Sequence, residues 1–146
     1  MAIPVETPDK ENANPRIGIA VIIMQAGKLL LGRRLNQPMQ GSWQLPGGWL
    51  GFAEDPEQAV ARLLSGFKGL DFSRAQFVAY SNNLFDERSH SVSLYFLTDC
   101  RADKCWGAVE NSDCSDWCWE NWDELPQPLF LPLQKLKESG FNPRLG

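Results

Sequence analysis

Residues 42–70, SWQLPGGWLGFAEDPEQAVARLLSGFKGL, decide the fold of this chain because they join a glycine-rich turn to a clearly marked helix. Asp55 can cap the helix by accepting hydrogen bonds from free backbone N–H groups, and Pro56 suits the first helical position because proline has no N–H to lose. Gly69 suits the left-handed residue that follows a helix. These signals predict a helix over residues 56–68.

The predicted helix carries an apolar stripe. Val60, Leu63, Leu64 and Phe67 follow the spacing i, i+3, i+4, i+7, which is typical of a helix packed on a core. Core packing is therefore the leading interpretation of these four side chains. Gly66 needs a different explanation, since a glycine inside a helix costs about 1 kcal/mol relative to alanine. A close backbone approach would account for it.

Strand patterns lie on both sides of the helix. Residues 16–25, RIGIAVIIMQ, are rich in β-branched side chains and predict a buried strand, and residues 28–34, KLLLGRR, predict its hairpin partner. The remaining predicted elements are short strands at 43–46 and 49–52, strands at 71–84, 91–100 and 116–121, a helical turn at 122–126 and a helix at 131–139 followed by Gly140.

Length and charge limit the classes of protein that fit. A chain of 146 residues is long enough for one domain, which we assign to residues 16–146 after a flexible N-terminal leader at 1–15. The net charge of −4 and the pI near 5.0 argue against broad nucleic-acid binding. The longest apolar run, residues 19–24, is too short to cross a bilayer, and no secretory signal is evident. We therefore expect a cytoplasmic protein with no nucleic-acid or membrane partner.

The cysteines have the spacing C-x4-C-x8-C-x3-C, at Cys100, Cys105, Cys114 and Cys118. This spacing lacks the paired C-x2-C knuckles of a zinc ribbon, so reduced thiols are favoured over a structural zinc site, which stays open as the alternative. Part of residues 114–122 also has a strand pattern, which would place Cys114 and Cys118 on the same face, packing as small hydrophobes.

The central stretch resembles the Nudix box of the Nudix hydrolase superfamily, whose pattern is G-x5-E-x7-R-E-U-x-E-E-x-G-U, with U aliphatic. The positions that match are Gly48, Glu54, Arg62, Leu64, Gly69 and Leu70, and they form the scaffold of the box. In the family, three glutamates of the helix hold the catalytic divalent ions. Leu63, Gly66 and Phe67 stand in their places here.

The resemblance extends over the chain from about Arg16 to the C-terminus. The order of hairpin, glycine turn, helix, further strands and final helix is similar to the Nudix fold, which implies an α/β class protein, an α/β/α sandwich around a mixed β-sheet. W-x-L-P-G-G at 43–48 and W-x-W-x-x-W-D-E-L-P at 117–126 resemble the MutT-like nucleoside triphosphate diphosphatase branch.

The three replaced positions bear directly on metal binding. Positions 63, 66 and 67 are spaced i, i+3, i+4, so they would share one helix face, and magnesium takes oxygen ligands. Leucine, glycine and phenylalanine supply no side-chain oxygen. We therefore predict no metal cofactor, and Mg²⁺ is expected only if acids are relocated, such as Glu54 with Glu110 or Glu120.

Other candidate site residues follow from the box. Glu54 and Arg62 have opposite charges and are predicted to form a structural ion pair. As substrate-binding residues we select Arg33, Arg34, Gly47, Trp49 and Phe67, with the arginines reaching phosphates or merely charging a strand end. No catalytic residue is assigned, and His90, the single histidine, is interpreted as structural.

Three functional hypotheses remain open. The first is a Nudix-family protein that binds a nucleotide or a nucleoside diphosphate-linked small molecule, with little or no metal-dependent hydrolysis. The second is an active pyrophosphohydrolase that uses relocated acids, and the third is a dimeric interaction module. Six tryptophans and the apolar helix stripe further suggest a homodimer.

Overall fold

The computed structural model of the protein describes residues 15–101 and 113–144. The predicted leader lies outside the described residues except for Pro15, and so do Cys105 and Glu110. No helix within the described ranges is long and apolar enough to span a membrane.

The fold is built around strand β1, Arg16–Gln25, whose neighbours lie on both sides. It forms the predicted hairpin with β2, Lys28–Arg34, and it pairs in parallel with β6, His90–Asp99. The other strand pairs are antiparallel, so the sheet is mixed. The further elements are β3 (Trp43–Gln44), β4 (Gly47–Trp49), α1 (Pro56–Leu64), β5 (Gln76–Leu84), β7 (Cys114–Glu120), a 3-10 turn (Trp122–Glu124) and α2 (Leu131–Glu138).

Two helices cover opposite faces of the sheet, because side chains of β1 alternate between them. Ile19, Val21 and Ile23 pack with Ala59 and Val60 of α1. The side chains of even number, Ile22 and Met24, pack with Leu133 and Leu136 of α2 on the other face. The predicted α/β/α sandwich around a mixed sheet is therefore confirmed.

Helix α1 begins as predicted but ends at Leu64, earlier than the predicted end at residue 68. Its start is fixed by Asp55, whose N–H donates to the side chain of Gln58 at 2.9 Å. After Leu64 the backbone tightens: Phe67 N–H donates to the carbonyl of Leu64, three residues back, at 3.0 Å. Gly66 disfavours another helical turn, so residues 66 and 67 lie beyond the end of the helix, while Leu63 and Phe67 still pack in the same buried cluster.

Strand β7 contains an irregularity that the alternating pattern did not predict. The register against β2 shifts between Leu31 and Arg33, and Asp116 has a positive φ of 53°. As a result, Cys114 and Trp117 both approach Gly32, where an added Cβ would lie 2.7 Å from Cys114 Cβ. Cys118 packs in the core on the other face, so its predicted common face with Cys114 is wrong.

Candidate functional site

A cavity of about 940 Å³ opens at one end of the sheet. Strand β1 begins there, its antiparallel neighbour β2 ends there, and β6, parallel to β1, begins there with Arg16 opposite Ser91. The cavity is bounded by the glycine turn, the β5–β6 loop and the start of α2. The sheet topology thus gathers side chains that are far apart in sequence.

Arg34, at the end of β2, is held firmly in the cavity wall. Its Nε–H donates to the carbonyl of Pro38 at 2.9 Å, and Nη1 donates to Gln44 Oε1 at 2.6 Å. The guanidinium carbon lies 3.9 Å from the ring centroid of Phe130, a cation–π contact. Burial lowers the pKa of Arg34 from its ordinary value, whereas Cys114 and the carboxylate of Asp113 act in the opposite direction. The side chain is a partly desolvated, preorganised cation.

Two further arginines line the cavity from more exposed positions. The guanidinium carbon of Arg16 lies 3.8 Å from the ring centroid of Trp49, which follows the glycine pair. Arg88 lies in the β5–β6 loop, where its backbone N–H donates to Asp86 Oδ1 at 2.7 Å. Together with Arg34, these side chains make the cavity basic in a chain of net charge −4.

A buried polar network forms the sheet side of the cavity. Tyr95 Oη donates to the carbonyl of Pro132 at 2.8 Å and is hydrogen-bonded to Ser81 Oγ at 2.7 Å. Asn83 donates to Ser91 at 3.1 Å and to Ser93 at 3.0 Å. Each of these groups has a partner, so the network presents fixed hydroxyl groups rather than unsatisfied ones.

His90 also lines the cavity, next to this network. One ring nitrogen, Nε2, is 2.5 Å from Asn82 Oδ1. The interpretation of His90 as purely structural is therefore incomplete, since its place in the cavity wall lets it contact a ligand. Nothing in the local sequence marked His90, Arg16 or Tyr95 as site residues; only the pairing of β1 with β6 brings them together.

The predicted ion pair between Glu54 and Arg62 is present. Arg62 Nε and Nη2 each donate to one carboxylate oxygen at 2.9 Å, and Nη2 also donates to the carbonyl of Trp49 at 2.9 Å. Gly51 N–H donates to Glu54 Oε1 at 2.8 Å. The pair ties the loop after β4 to α1, which is the role of a scaffold.

The residues at the three replaced glutamate positions do not fit a divalent ion. Leu63 lies beside the cavity, since a Cβ added to Gly48 would be 3.0 Å from Leu63 Cδ2. Phe67 is only 6% exposed and packs edge-on against Trp117, with ring centroids 5.2 Å apart. With Gly66 between them, these positions offer apolar surface where a metal needs oxygen atoms.

Relocated acids do not converge among the described residues. Glu120 pairs with Leu29, whereas the loop that carries Glu54 lies near Ile17, whose carbonyl accepts from Leu50. These two points are separated by most of β1, about 20 Å at the usual rise per residue. No group of three or more His, Cys, Asp or Glu side chains that could hold a metal occurs within residues 15–101 and 113–144.

Some of the predicted substrate-binding residues line the cavity and others do not. Arg34, Gly47 and Trp49 line the cavity. Arg33 does not, because alternation along β2 turns it away: its Nη1 lies 3.7 Å from Asp116 and its guanidinium carbon 5.0 Å from the Trp43 ring centroid. Phe67 is not among the residues that line this cavity, because its side chain packs in the core on the α1 side of the sheet.

Comparisons with known proteins identify the family of the fold. The model of the NUDIX domain matches residues 14–139. An ADP-ribose pyrophosphatase of Methanocaldococcus jannaschii is 33% identical over 87 residues, covering 59% of this chain and 52% of that protein. An RNA pyrophosphohydrolase of Hydrogenovibrio crunogenus is 32% identical over 98 residues, covering 66% of this chain and 57% of that one. The chain spans about half the length of these curated relatives.

Solved structures give the same fold. A MutT NUDIX hydrolase from Burkholderia pseudomallei superposes with a TM-score of 0.71 at 28% identity, covering 84% of this chain and 98% of that one. The NUDIX domain of Shewanella oneidensis NrtR, solved in complex with ADP ribose, superposes with a TM-score of 0.68 at 23% identity, covering 92% and 97%. At that identity the second likeness concerns the fold alone.

Proposed function

Because this chain belongs to the NUDIX domain family, we propose that it binds a nucleoside diphosphate-linked small molecule and has little or no metal-dependent hydrolysis. The main support for the proposal is the contrast between two neighbouring regions. The cavity is large, basic and lined by aromatic rings, whereas the adjacent positions 63, 66 and 67 carry no oxygen ligand.

The cavity offers the contacts that such a ligand needs. Phe85 and Phe130, with ring centroids 5.4 Å apart, provide apolar surface for a base or sugar. Ser91, Ser93 and His90 also line the cavity and provide polar contacts. A volume of about 940 Å³ is at the upper end of the usual range for small-molecule sites.

Hydrolysis of a phosphoanhydride normally requires metal ligands, which these residues do not provide. Divalent ions normally neutralise phosphate charge and activate water in this class of reaction. Glu54 keeps both carboxylate oxygens on Arg62, so the ion pair occupies the acid that the box retains. Binding is therefore the activity that the described residues support best.

The experiment is a ligand panel followed for both binding and turnover. ADP-ribose is the first ligand to test, because a relative is named an ADP-ribose pyrophosphatase. The panel adds ADP, a nucleoside triphosphate and a 5′-triphosphorylated RNA oligonucleotide, each with magnesium, with manganese and with EDTA. We expect saturable calorimetric binding of ADP-ribose or ADP without product release, and no binding of the RNA.

Failure of all nucleotides to bind would contradict the proposed function. Rapid metal-dependent turnover would instead favour relocated acids, for which Glu110 lies outside the described residues. A useful control is Arg62→Lys, which keeps the charge beside Glu54 but loses the two-bond geometry. It lowers stability without removing a cavity side chain, so it separates damage to the scaffold from loss of ligand contacts.

We further propose that the chain forms a homodimer through β5. This strand lies at the edge of the sheet, where it pairs only with β6 among the described strands. Phe77, Tyr80 and Leu84 are 56%, 66% and 61% exposed, respectively. The strand, QFVAYSNNL, contains no charged side chain, so two copies can approach antiparallel about a twofold axis without repulsion between like charges.

A further inference from the structure

We propose that the cavity holds the phosphate groups of its ligand directly through Arg16, Arg34 and Arg88, without a divalent cation. The inference rests on the proposed function and adds the means of recognition. In this chain the arginines supply the positive charge that a bound metal would otherwise supply. The ligand class is therefore a free organic diphosphate rather than its magnesium complex.

The topology of the sheet brings the three arginines to one place. Arg16 begins β1, Arg34 ends the antiparallel neighbour β2, and Arg88 lies two residues before β6, which runs parallel to β1. All three residues line the same cavity. Because they come from three separate segments, they can surround an anion rather than approach it from one side.

The charge of the cavity wall favours an anion. Among the described lining residues, the only carboxylate side chain is that of Asp113, against three arginines. Asp113 Oδ1 also accepts a hydrogen bond from Asn36 at 3.5 Å. A wall with this excess of guanidinium groups repels Mg²⁺ and attracts phosphate oxygens, with which arginine makes strong charge-assisted hydrogen bonds.

Of the three arginines, Arg34 is the one whose guanidinium is held in a fixed orientation for phosphate binding. Its hydrogen bonds to Pro38 and Gln44 and its contact with Phe130 fix the plane of the guanidinium. Those two hydrogen bonds use two of the five N–H donors that a guanidinium carries. The fixed geometry reduces the entropy lost when a ligand binds.

The test is calorimetric titration of the full chain with ADP and with adenosine, in EDTA and in magnesium. We expect the affinity for ADP in EDTA to equal or exceed that in magnesium. Adenosine, which lacks the diphosphate, is expected to bind at least about 10-fold more weakly, and added salt weakens ADP binding more than adenosine binding.

Single substitutions test which arginines bind the diphosphate. Arg34→Gln and Arg16→Gln are each expected to reduce the affinity for ADP about 10-fold or more while leaving adenosine binding within about threefold. Arg33→Gln is the matched control, since this neighbouring arginine faces Trp43 and Asp116 outside the cavity. Arg16 is exposed, so its replacement is expected to leave folding intact. The midpoint of unfolding of each variant checks that it is folded.

Two results would overturn the inference while leaving the proposed function standing. One is binding of ADP that requires magnesium, and the other is an equal loss of ADP affinity in Arg33→Gln and Arg34→Gln. Absence of binding by ADP, ADP-ribose and adenosine under every condition would overturn the proposed function and this inference together.

Discussion

Arg62 holds the carboxylate of Glu54 by two hydrogen bonds of 2.9 Å, one to each oxygen. The bonds connect the loop after the glycine pair to α1, and a third bond from Arg62 reaches the carbonyl of Trp49. A residue that retains its place in the box is thus used here to fix the loop beside the cavity.

This ion pair predicts a dependence of stability on pH. The hydrogen bond from Arg62 and then that from Gly51 N–H lower the pKa of Glu54 from 4.5 to about 2. Above about pH 4.5 the stabilisation is fully present; as the pH falls toward 2, the unfolded chain takes up the proton first and the stabilisation is lost. Urea unfolding of the wild type is expected to show a larger fall in midpoint over this interval than Glu54→Gln.

Glu57→Gln is the control for that comparison, since it removes one negative charge from the exposed first turn of α1. It is expected to retain the wild-type pH profile. Identical profiles for the wild type and Glu54→Gln would show that the ion pair does not stabilise the fold.

Restoring a carboxylate at position 67 is expected to damage the core. Phe67 is 6% exposed and packs against Trp117. Phe67→Glu loses the buried ring and places a charge among apolar side chains, so the free energy of unfolding falls by about 3–5 kcal/mol. Chemical denaturation measures it, with Phe67→Leu as the milder control. A free energy within about 1 kcal/mol of the wild type would contradict the assignment of Phe67 to the core.

Gly47 is predicted to be indispensable for packing as well as for lining the cavity. A Cβ at this position would lie 2.5 Å from the carbonyl oxygen of Ile19, a backbone atom that cannot move aside easily. Gly47→Ala is therefore expected to lower the free energy of unfolding by about 1–3 kcal/mol. At Gly18 the nearest atom is Ser93 Oγ at 3.5 Å, so Gly18→Ala is the control, with a change below about 1 kcal/mol. Equal effects would contradict the prediction.

The proposed dimer predicts that substitutions at two exposed aromatic residues have different effects on association. Tyr80→Lys introduces a charge on the edge strand β5 and is expected to shift the protein to monomer in sedimentation velocity at micromolar concentration. Phe52→Lys changes a fully exposed ring in the loop before α1 and is expected to leave the dimer intact. A wild-type monomer at high micromolar concentration would count against the interface.

The main elements of the fold were predictable because their patterns are local. The β-branched residues of β1, the cap at Asp55 and the final helix are each marked by neighbouring residues. The early end of α1 at Leu64 was missed because the apolar stripe continues to Phe67, although Gly66 interrupts the helix. The alternating pattern of residues 91–100 predicted β6. The strand predicted at 71–84 was too long, because β5 begins only at Gln76.

The candidate site was predictable only in part because it depends on strand register. Arg34 was predicted from its place at the end of the second strand and Gly47 and Trp49 from the box, but Arg16, Arg88 and Tyr95 were missed. Arg16 and Ser91 are neighbours only through the parallel pairing of β1 with β6. Arginines at the ends of predicted strands were the available signal, and choosing between Arg33 and Arg34 required the direction of their side chains.

The absence of metal-dependent hydrolysis is tested by the rate at which the unmodified protein hydrolyses phosphoanhydrides in magnesium. Release of AMP from ADP-ribose and of pyrophosphate from nucleoside triphosphates is measured at high enzyme concentration, with EDTA as the blank. Because the positions that would hold the metal carry Leu63, Gly66 and Phe67, we expect turnover several orders of magnitude below the usual enzyme value of about 10 per second. Magnesium-dependent turnover of about one per second would contradict it.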